Sequence, residues 1–507
     1  MEPSPENISQ ETAPQSEYKD VEPLFSTRAF EILALSTAPE GIQIITGKTL
    51  ARPNAKSMLL AQGPYGENLI TKISDDIKNK EVPRAIREAV KKNLDSPEEK
   101  ARLEILHSIG LTEDQLEEYQ KRLIEEKLQN PSLLSAAEKT EYIRGMERGQ
   151  KIGMRNVVVS KDGNTLIADI MKVPFVAHRH IRKPEDVTRG LIEISNATGV
   201  AAVLETKESD PSQNFFGLGR RFENNGQYRA SRASGGQPGA IGAGMIDLTF
   251  SRHTAPGEPE RISNTKILNA IDKEFGEEVG FSTQTSGGEN IRITADNIKD
   301  FATHQMTVEV GASEADIERM KIACFGRDLV APHNEIGVVA QSSKSRAELL
   351  EIHSKMNPNT TENNFSEGMF FIPADKESVG KFLTQCRSLL PPTHYMPLIA
   401  AMYEKIATQG NEPAADKAEA DAWKKEMEIG IDENWKRIDE MVKQYYIDKP
   451  TAIEENMLES KRDSINTEGY DPAVLSDRQI MEKQSDGSYI PITLDGELDL
   501  LGFSQTA

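Results

Sequence analysis

Hydrophobic positions along this chain change their period several times. From Asp76 to about Gln150 they recur every three or four residues, which is the spacing of a helix face. Ser96-Pro97-Glu98-Glu99 joins a cap residue, a proline at the first helical position and an acid three residues on, so a helix starts there. It carries Leu103, Ile105, Leu106 and Ile109, and Gly110 closes it. Thr112-Glu113-Asp114-Gln115 opens another helix, with Leu116, Tyr119 and Leu123 on one stripe. From about Arg155 short β-rich runs take over. Asn156-Val157-Val158-Val159 and Thr165-Leu166-Ile167-Ala168 flank the turn sequence Lys161-Asp162-Gly163-Asn164. Further strands are expected over 199–204, 215–218, 306–310, 336–340 and 369–372, with a glycine-rich loop over 234–244. Ile262 to Val279 returns to helical period through Ile267, Leu268, Ile271 and Phe275. Beyond Ala401 the pattern is helical and highly charged, and both tryptophans, Trp423 and Trp435, fall there as packing anchors. One more short strand is expected at Tyr489 to Leu494.

Strands alternating with a few helices predict an α/β (α+β) protein. Four parts are expected: a disordered acidic tail over 1–24, a mainly helical region over 25–152, the strand-rich domain over 153–402, and a C-terminal helical region and tail over 403–507. Hydrophobic residues make up 37% of the 507, and mean hydropathy is -0.53. Part of the length is therefore solvated helix and tail. A formal charge of -21 argues against broad nucleic-acid binding or an anionic membrane surface. Cys324 and Cys386 are the only cysteines, with no CxxC pair, which argues against a disulfide framework or thiolate zinc. No apolar run has the ~20 residues of a membrane span. Residues 1–20 lack the basic start and apolar stretch of a secretory signal. A cytoplasmic protein is the expectation.

The most specific chemistry lies in Lys273-Glu274-Phe275-Gly276-Glu277-Glu278-Val279-Gly280-Phe281. Its three carboxylates stand at i, i+3 and i+4, which share one face of an α-helix. Converging carboxylates suit a hard cation such as Mg²⁺, which keeps waters and open positions for a phosphate substrate. Gly280 stands where a helix commonly stops on a left-handed residue.

This segment resembles the second half of the Nudix box, Arg-Glu-apolar-x-Glu-Glu-x-Gly-apolar, with Lys273 in place of the arginine. The first half departs from the pattern: its leading glycine would fall on Pro259 and its first glutamate on Thr265. Gly242-Ala243-Gly244-Met245-Ile246-Asp247 would then fill the strand-and-loop role, set apart by an insertion. The resemblance implies a Nudix-like α/β/α sandwich across about 155–401, with helical additions at both ends. It also implies a Mg²⁺-dependent (or Mn²⁺-dependent) hydrolase cleaving the pyrophosphate of a nucleoside diphosphate linked to another group. Glu274, Glu277 and Glu278 would hold the metal. Glu277, Glu278 and Lys273 would be catalytic, a glutamate or a carboxylate from a nearby loop taking the proton from water. Arg220, Arg221 and Gly244 would face the substrate. The alternative is a catalytically inactive Nudix-like module that binds nucleotide or protein.

Other residues carry weaker signals. His178 and His180 share a strand face but lack a third ligand. Gly217-Leu218-Gly219-Arg220-Arg221 offers arginine forks to a phosphate, or is simply a strand end. Arg327, Asp328, His333 and Glu335 lie between expected strands, within reach of a substrate or engaged in loop hydrogen bonds. The two cysteines fit buried packing.

Overall fold

In the computed structural model of the chain, the described residues are 18–19, 23–28, 30–34, 43–49, 74–148, 150–160, 165–174, 197–220, 238–245, 261–262, 268, 270–271, 274–281, 283–284, 290–291, 315–328, 333–354, 368–387, 395–410, 412–449 and 480–503. The main strands are β1 (Phe30–Ala34), β2 (Gln43–Thr49), β3 (Gln150–Ser160), β4 (Thr165–Pro174), β5 (Ala197–Glu205), β6 (Phe215–Arg220), β7 (Ile241–Met245), β8 (Ile317–Asp328), β9 (His333–Ser342) and β10 (Gly368–Pro373). They form one mixed sheet along the path β2-β4-β3-β5-β9-β8. β1 pairs with β8, β7 and β6 pair with β5, and β10 pairs with β6. β5 and β9 run parallel, from Ala197 beside His333 to Glu205 beside Gln341. β8 pairs antiparallel with β9, and β3 with β4; the expected turn over 161–164 lies outside the described residues.

The helices are α1 (Val82–Leu94), α2 (Pro97–Ser108), α3 (Glu113–Gln129), α4 (Ala136–Arg148), α5 (Arg346–Ser354), α6 (Lys376–Gln385), α7 (Met396–Thr408), α8 (Pro413–Asp448) and α9 (Leu494–Leu500). Among the described residues no helix is long and apolar enough to cross a membrane.

Strand alternation divides the interior into two cores. Val203, Phe216, Leu218, Cys324, Phe370 and Ile372 face α6, α7, α8 and α9. Their neighbours in sequence, Ala202, Leu204, Phe325 and Phe371, face the opposite side, where Ile271, Phe275, Val279 and Leu349 cover them. Among the described residues, the centre of the sheet is thus buried on both faces by helices. Trp423 and Trp435 belong to the first core, with Phe216 and Phe370. The C-terminal helices are therefore not a separate addition beyond 402 but one layer of the sheet domain. Two glycines let α7 approach: a Cβ at Gly326 would stand 1.6 Å from Met396 Sδ, and one at Gly337 would stand 2.3 Å from Cys324 Sγ and 3.3 Å from Pro397 Cβ. Arg387 secures the C-terminal end, reaching Glu497 at 2.7 Å and Glu482 at 2.5 Å.

The N-terminal expectation also changes. Tyr18–Lys19 pairs with β3, and Phe25–Ser26 pairs with β1, so parts of the expected tail and helical region join the sheet. Glu428 and Asp432 of α8 accept the backbone N–H groups of Ser26 and Arg28 at 2.8 and 3.0 Å. The apolar residues Phe25, Phe30 and Ile32 fill the α8 core, which explains the docking. Among the described residues of that region helix lies within 74–148, with both expected caps formed by Ser96 and Thr112. The glycine-rich loop is corrected too: Pro238–Gly239 and β7 are strands, because glycine fits where a helix presses on the sheet. β8 was missing from the expected strands, and Met306 to Val310 lies outside the described residues.

α1, α3 and α4 enclose a small core of Ile86, Val90, Leu94 and Leu134. Within it Glu138 is fully buried, held by Lys127 Nζ at 2.6 and 2.7 Å, Asn93 Nδ2 at 3.1 Å and the Ser135 N–H at 2.8 Å. Burial pulls the carboxyl upward, but hydrogen bonds from Lys127 and Ser135 outweigh it and hold the group below the ordinary glutamate range.

Two expectations follow. Gly337→Ala overpacks the α7 seat and lowers unfolding free energy in urea by about 1–3 kcal/mol, and Cys324→Ala added to it recovers part of the loss. The Glu138 contribution is complete above the unfolded value of about 4.3 and is lost as pH falls through the depressed folded value. Glu138→Gln therefore destabilises the helical unit at pH 7 and flattens its acid unfolding, read by amide hydrogen exchange of α1 and α4. An unchanged pH slope would contradict this.

Candidate metal-binding turn

The turn begins from two elements meeting across glycines. β7 runs antiparallel to β5, with Ile241 opposite Ala202 and Gly244 opposite Val200. The register shifts between Ile241 and Gly244, and Gly242 sits inside that shift at φ +64. A left-handed glycine at such a bulge bends the strand locally. The bend brings β7 against the residues that follow Ile271 in the opposite-face core.

Residues 268, 270, 271 and 274 are helical and lead into the wide turn Phe275–Val279. Its bonds run i→i+5, so it is π-helical rather than the plain α-helix that the carboxylate spacing suggests. Gly276, a poor helix former, lies inside the turn. Gly280 stops it in the left-handed region at φ 76, as the sequence predicts. The Phe275 carbonyl accepts the N–H groups of both Gly280 and Phe281, the latter at 3.2 Å. Phe275, Val279 and Phe281 are buried and anchor the turn to the sheet.

That anchoring seats Glu274 at the edge of the core, half-buried. A Cβ on Gly244 would lie 2.3 Å from Glu274 Oε1 and 2.6 Å from its carboxyl carbon. The carboxylate therefore lies on the bare backbone of β7, in the space a side chain at 244 would take. A Cβ on Gly242 would meet the Phe275 ring at 3.6 Å, in ordinary contact.

Glu277 and Glu278 lie on the same turn by their backbone, while their side chains fall outside the description. Lys273 and Arg221 lie outside the described residues, as do His178 and His180. Among the described residues no three histidine, cysteine or acidic side chains gather for a metal. Arg220 ends β6, opposite Gly368 and Pro238. Gly217 is a strand residue packed on Phe371, so the Gly217–Gly219 stretch is sheet rather than a phosphate loop.

The residues expected between strands also move into the sheet. Arg327 is in β8, its Nη2 donating to the Val157 carbonyl at 2.7 Å with Glu31 3.8 Å away. Asn334, absent from the sequence reading, donates to the Met154 carbonyl at 2.7 Å, and Glu335 is buried beside it. Cys324 is buried, its thiol pushed up to about 12 by burial and by Glu335, so it is no nucleophile. His353 of α5 is a further group the sequence reading missed. Its Nδ1 stands 3.4 Å from the Val279 carbonyl, and burial pushes its pKa down, favouring the neutral ring. Only its helical placement after β9 could have suggested it.

Comparison with known protein families and with curated proteins finds no match for this chain.

Gly244→Ala should cost about 1 kcal/mol or less, since the flexible end of Glu274 can swing aside. Gly242→Ala should cost about 1–2 kcal/mol more than a neutral surface change, because its backbone is left-handed. Urea unfolding of the two variants measures both, and the reverse ranking would contradict the packing described.

Proposed function

We propose that the chain is a Mg²⁺-dependent (or Mn²⁺-dependent) pyrophosphohydrolase of Nudix type, acting on a nucleoside diphosphate linked to another group. The observation that carries the reading is the glutamate-bearing turn: Glu274 seated on Gly244, Glu277 and Glu278 one turn away, and Gly280 closing it. A mixed sheet whose centre is covered on both faces by helices supports the α/β/α sandwich that this reading needs.

The donor set fits a hard cation, since carboxylate oxygens are its preferred ligands and no soft ligand competes on the turn. Glu274, Glu277 and Glu278 would hold it. When bound, the cation would neutralise pyrophosphate charge and favour ionisation of an attacking water. Gly244 leaves the β7 surface bare, so the Glu274 carboxylate can lie against it before ligand arrives. Lys273 would orient a turn glutamate as a point charge, without the fork of an arginine. One glutamate takes the proton from water, and Arg220 and Arg221 draw the substrate phosphates. A π turn, a rare geometry that often marks functional sites, also supports the assignment.

Phosphate and nucleotide release from ADP-ribose, nucleotide sugars, dinucleotides and coenzyme A, each with Mg²⁺ and with EDTA, tests the proposal. Metal-dependent cleavage is expected for one class, reduced at least ~100-fold in the Glu277→Gln/Glu278→Gln double variant. Calorimetric binding without cleavage would identify the inactive module instead. Cleavage unaffected by the double variant would remove the turn from the mechanism.

A further inference from the structure

On the opposite face of the sheet the apolar α7 core ends in a charged cleft of about 320 Å³. Its charged and amide lining comes from four elements: Glu205 of β5, Arg319 and Lys321 of β8, Gln341 of β9, and Glu404 and Lys405 of α7. Strand register explains why they converge. Glu205 lies beside Gln341 in the parallel pair, and Gln341 lies opposite Arg319 in the antiparallel pair. Each follows or precedes a residue committed to the other core: Leu204, Ala340 and Met320. Their own positions therefore fall on the α7 side, where Val203 and Cys324 are apolar further along the same strands.

Nothing in the fold requires charge here. Apolar side chains would seat α7 at least as well, because partly buried ion pairs contribute little net stability. Two pairs occupy the walls: Lys321 with Glu404, and Lys405 with Glu205 at 2.8 Å. Three cations against two carboxylates leave Arg319 as the surplus positive charge, and it is exposed to the cleft mouth. That surplus stands in a chain whose formal charge is -21. The cleft also lies at the carboxyl ends of β5 and β9, the parallel strands at the centre of the sheet, where ligands of open α/β sheets commonly bind. Its volume sits at the low end of the range for small-molecule sites, about 300–1,000 Å³.

We propose that this cleft is a second binding site, for a small ligand bearing a carboxylate or phosphate group held by the Arg319 guanidinium. Lys321 supports the anion beside it. Carbonyl groups at the end of α7 repel negative charge, so the anionic end lies toward β8 and the neutral or cationic remainder toward Glu404. The site is independent of the glutamate-bearing turn, which occupies the other face.

Calorimetric titration of the full chain with inorganic phosphate and, separately, with succinate tests the proposal and tells the two anion chemistries apart. Saturable binding of at least one probe is expected, weakened tenfold or more in Arg319→Gln with an unchanged unfolding midpoint. Binding is also expected to be unaltered by EDTA and by Glu277→Gln/Glu278→Gln. No saturation with either probe would overturn the proposal, as would equal affinity in Arg319→Gln. So would loss of binding in the glutamate variant, which would assign the anion to the other face.

Discussion

The parallel pairing of β5 with β9 is the constraint on which the rest of the structure depends. Nine consecutive positions of β5, Ala197 to Glu205, stay in register with His333 to Gln341. β5 must then be buried on both faces, and its sequence, Ala-Thr-Gly-Val-Ala-Ala-Val-Leu-Glu, is small and apolar enough to accept helices on either side. β3, β6 and β7 all pair with β5, and β8 reaches the sheet through β9. The one strand thereby fixes where β7 meets the turn at Glu274 and where α7 crosses Arg319. A slip of one residue would exchange the two cores and dissolve both arrangements.

The two proposed sites depend on opposite uses of side-chain volume. At the turn, Gly244 removes a side chain so that Glu274 can approach the backbone closely, and Gly242 supplies a left-handed bend against Phe275. At the cleft, long side chains such as Arg319, Lys321 and Lys405 line the space between α7 and the strand ends. Between them Gly326 and Gly337 admit Met396 and Pro397, which holds the start of α7 against the sheet.

Much of the framework was legible in the sequence, for identifiable reasons. Val157-Val158-Val159, the Met369 to Ile372 run and the caps at Ser96 and Thr112 declare themselves through local chemistry, and the structure forms each as expected. Gly280 was legible as a left-handed stop because few other roles suit a glycine after that periodicity. β8 was not, since Arg319 and Lys321 interrupt its apolar residues. Their alternation with Met320 and Ile322 makes sense only once a polar cleft is known to face them. The glycine-rich β7 resembled a loop because glycine lowers strand propensity, while the close contact that calls for it is tertiary. Amphipathic helices reveal which face they bury but not against what, so Trp423 and Trp435 suggested a separate unit although they pack on the sheet. The π-helical bonding of Phe275–Val279 depends on two N–H groups converging on one carbonyl, which spacing alone does not encode.

The central claim is that the glutamate-bearing turn holds a divalent cation. Methyl NMR of the full chain titrated with Mn²⁺ addresses it without requiring a known substrate. The account predicts selective broadening of the Ile241, Ile271 and Val279 methyls, reversed by excess Mg²⁺, while Ile86 in the helical unit and Ile438 of α8 stay sharp. Broadening centred elsewhere, or none at these three residues, would contradict it.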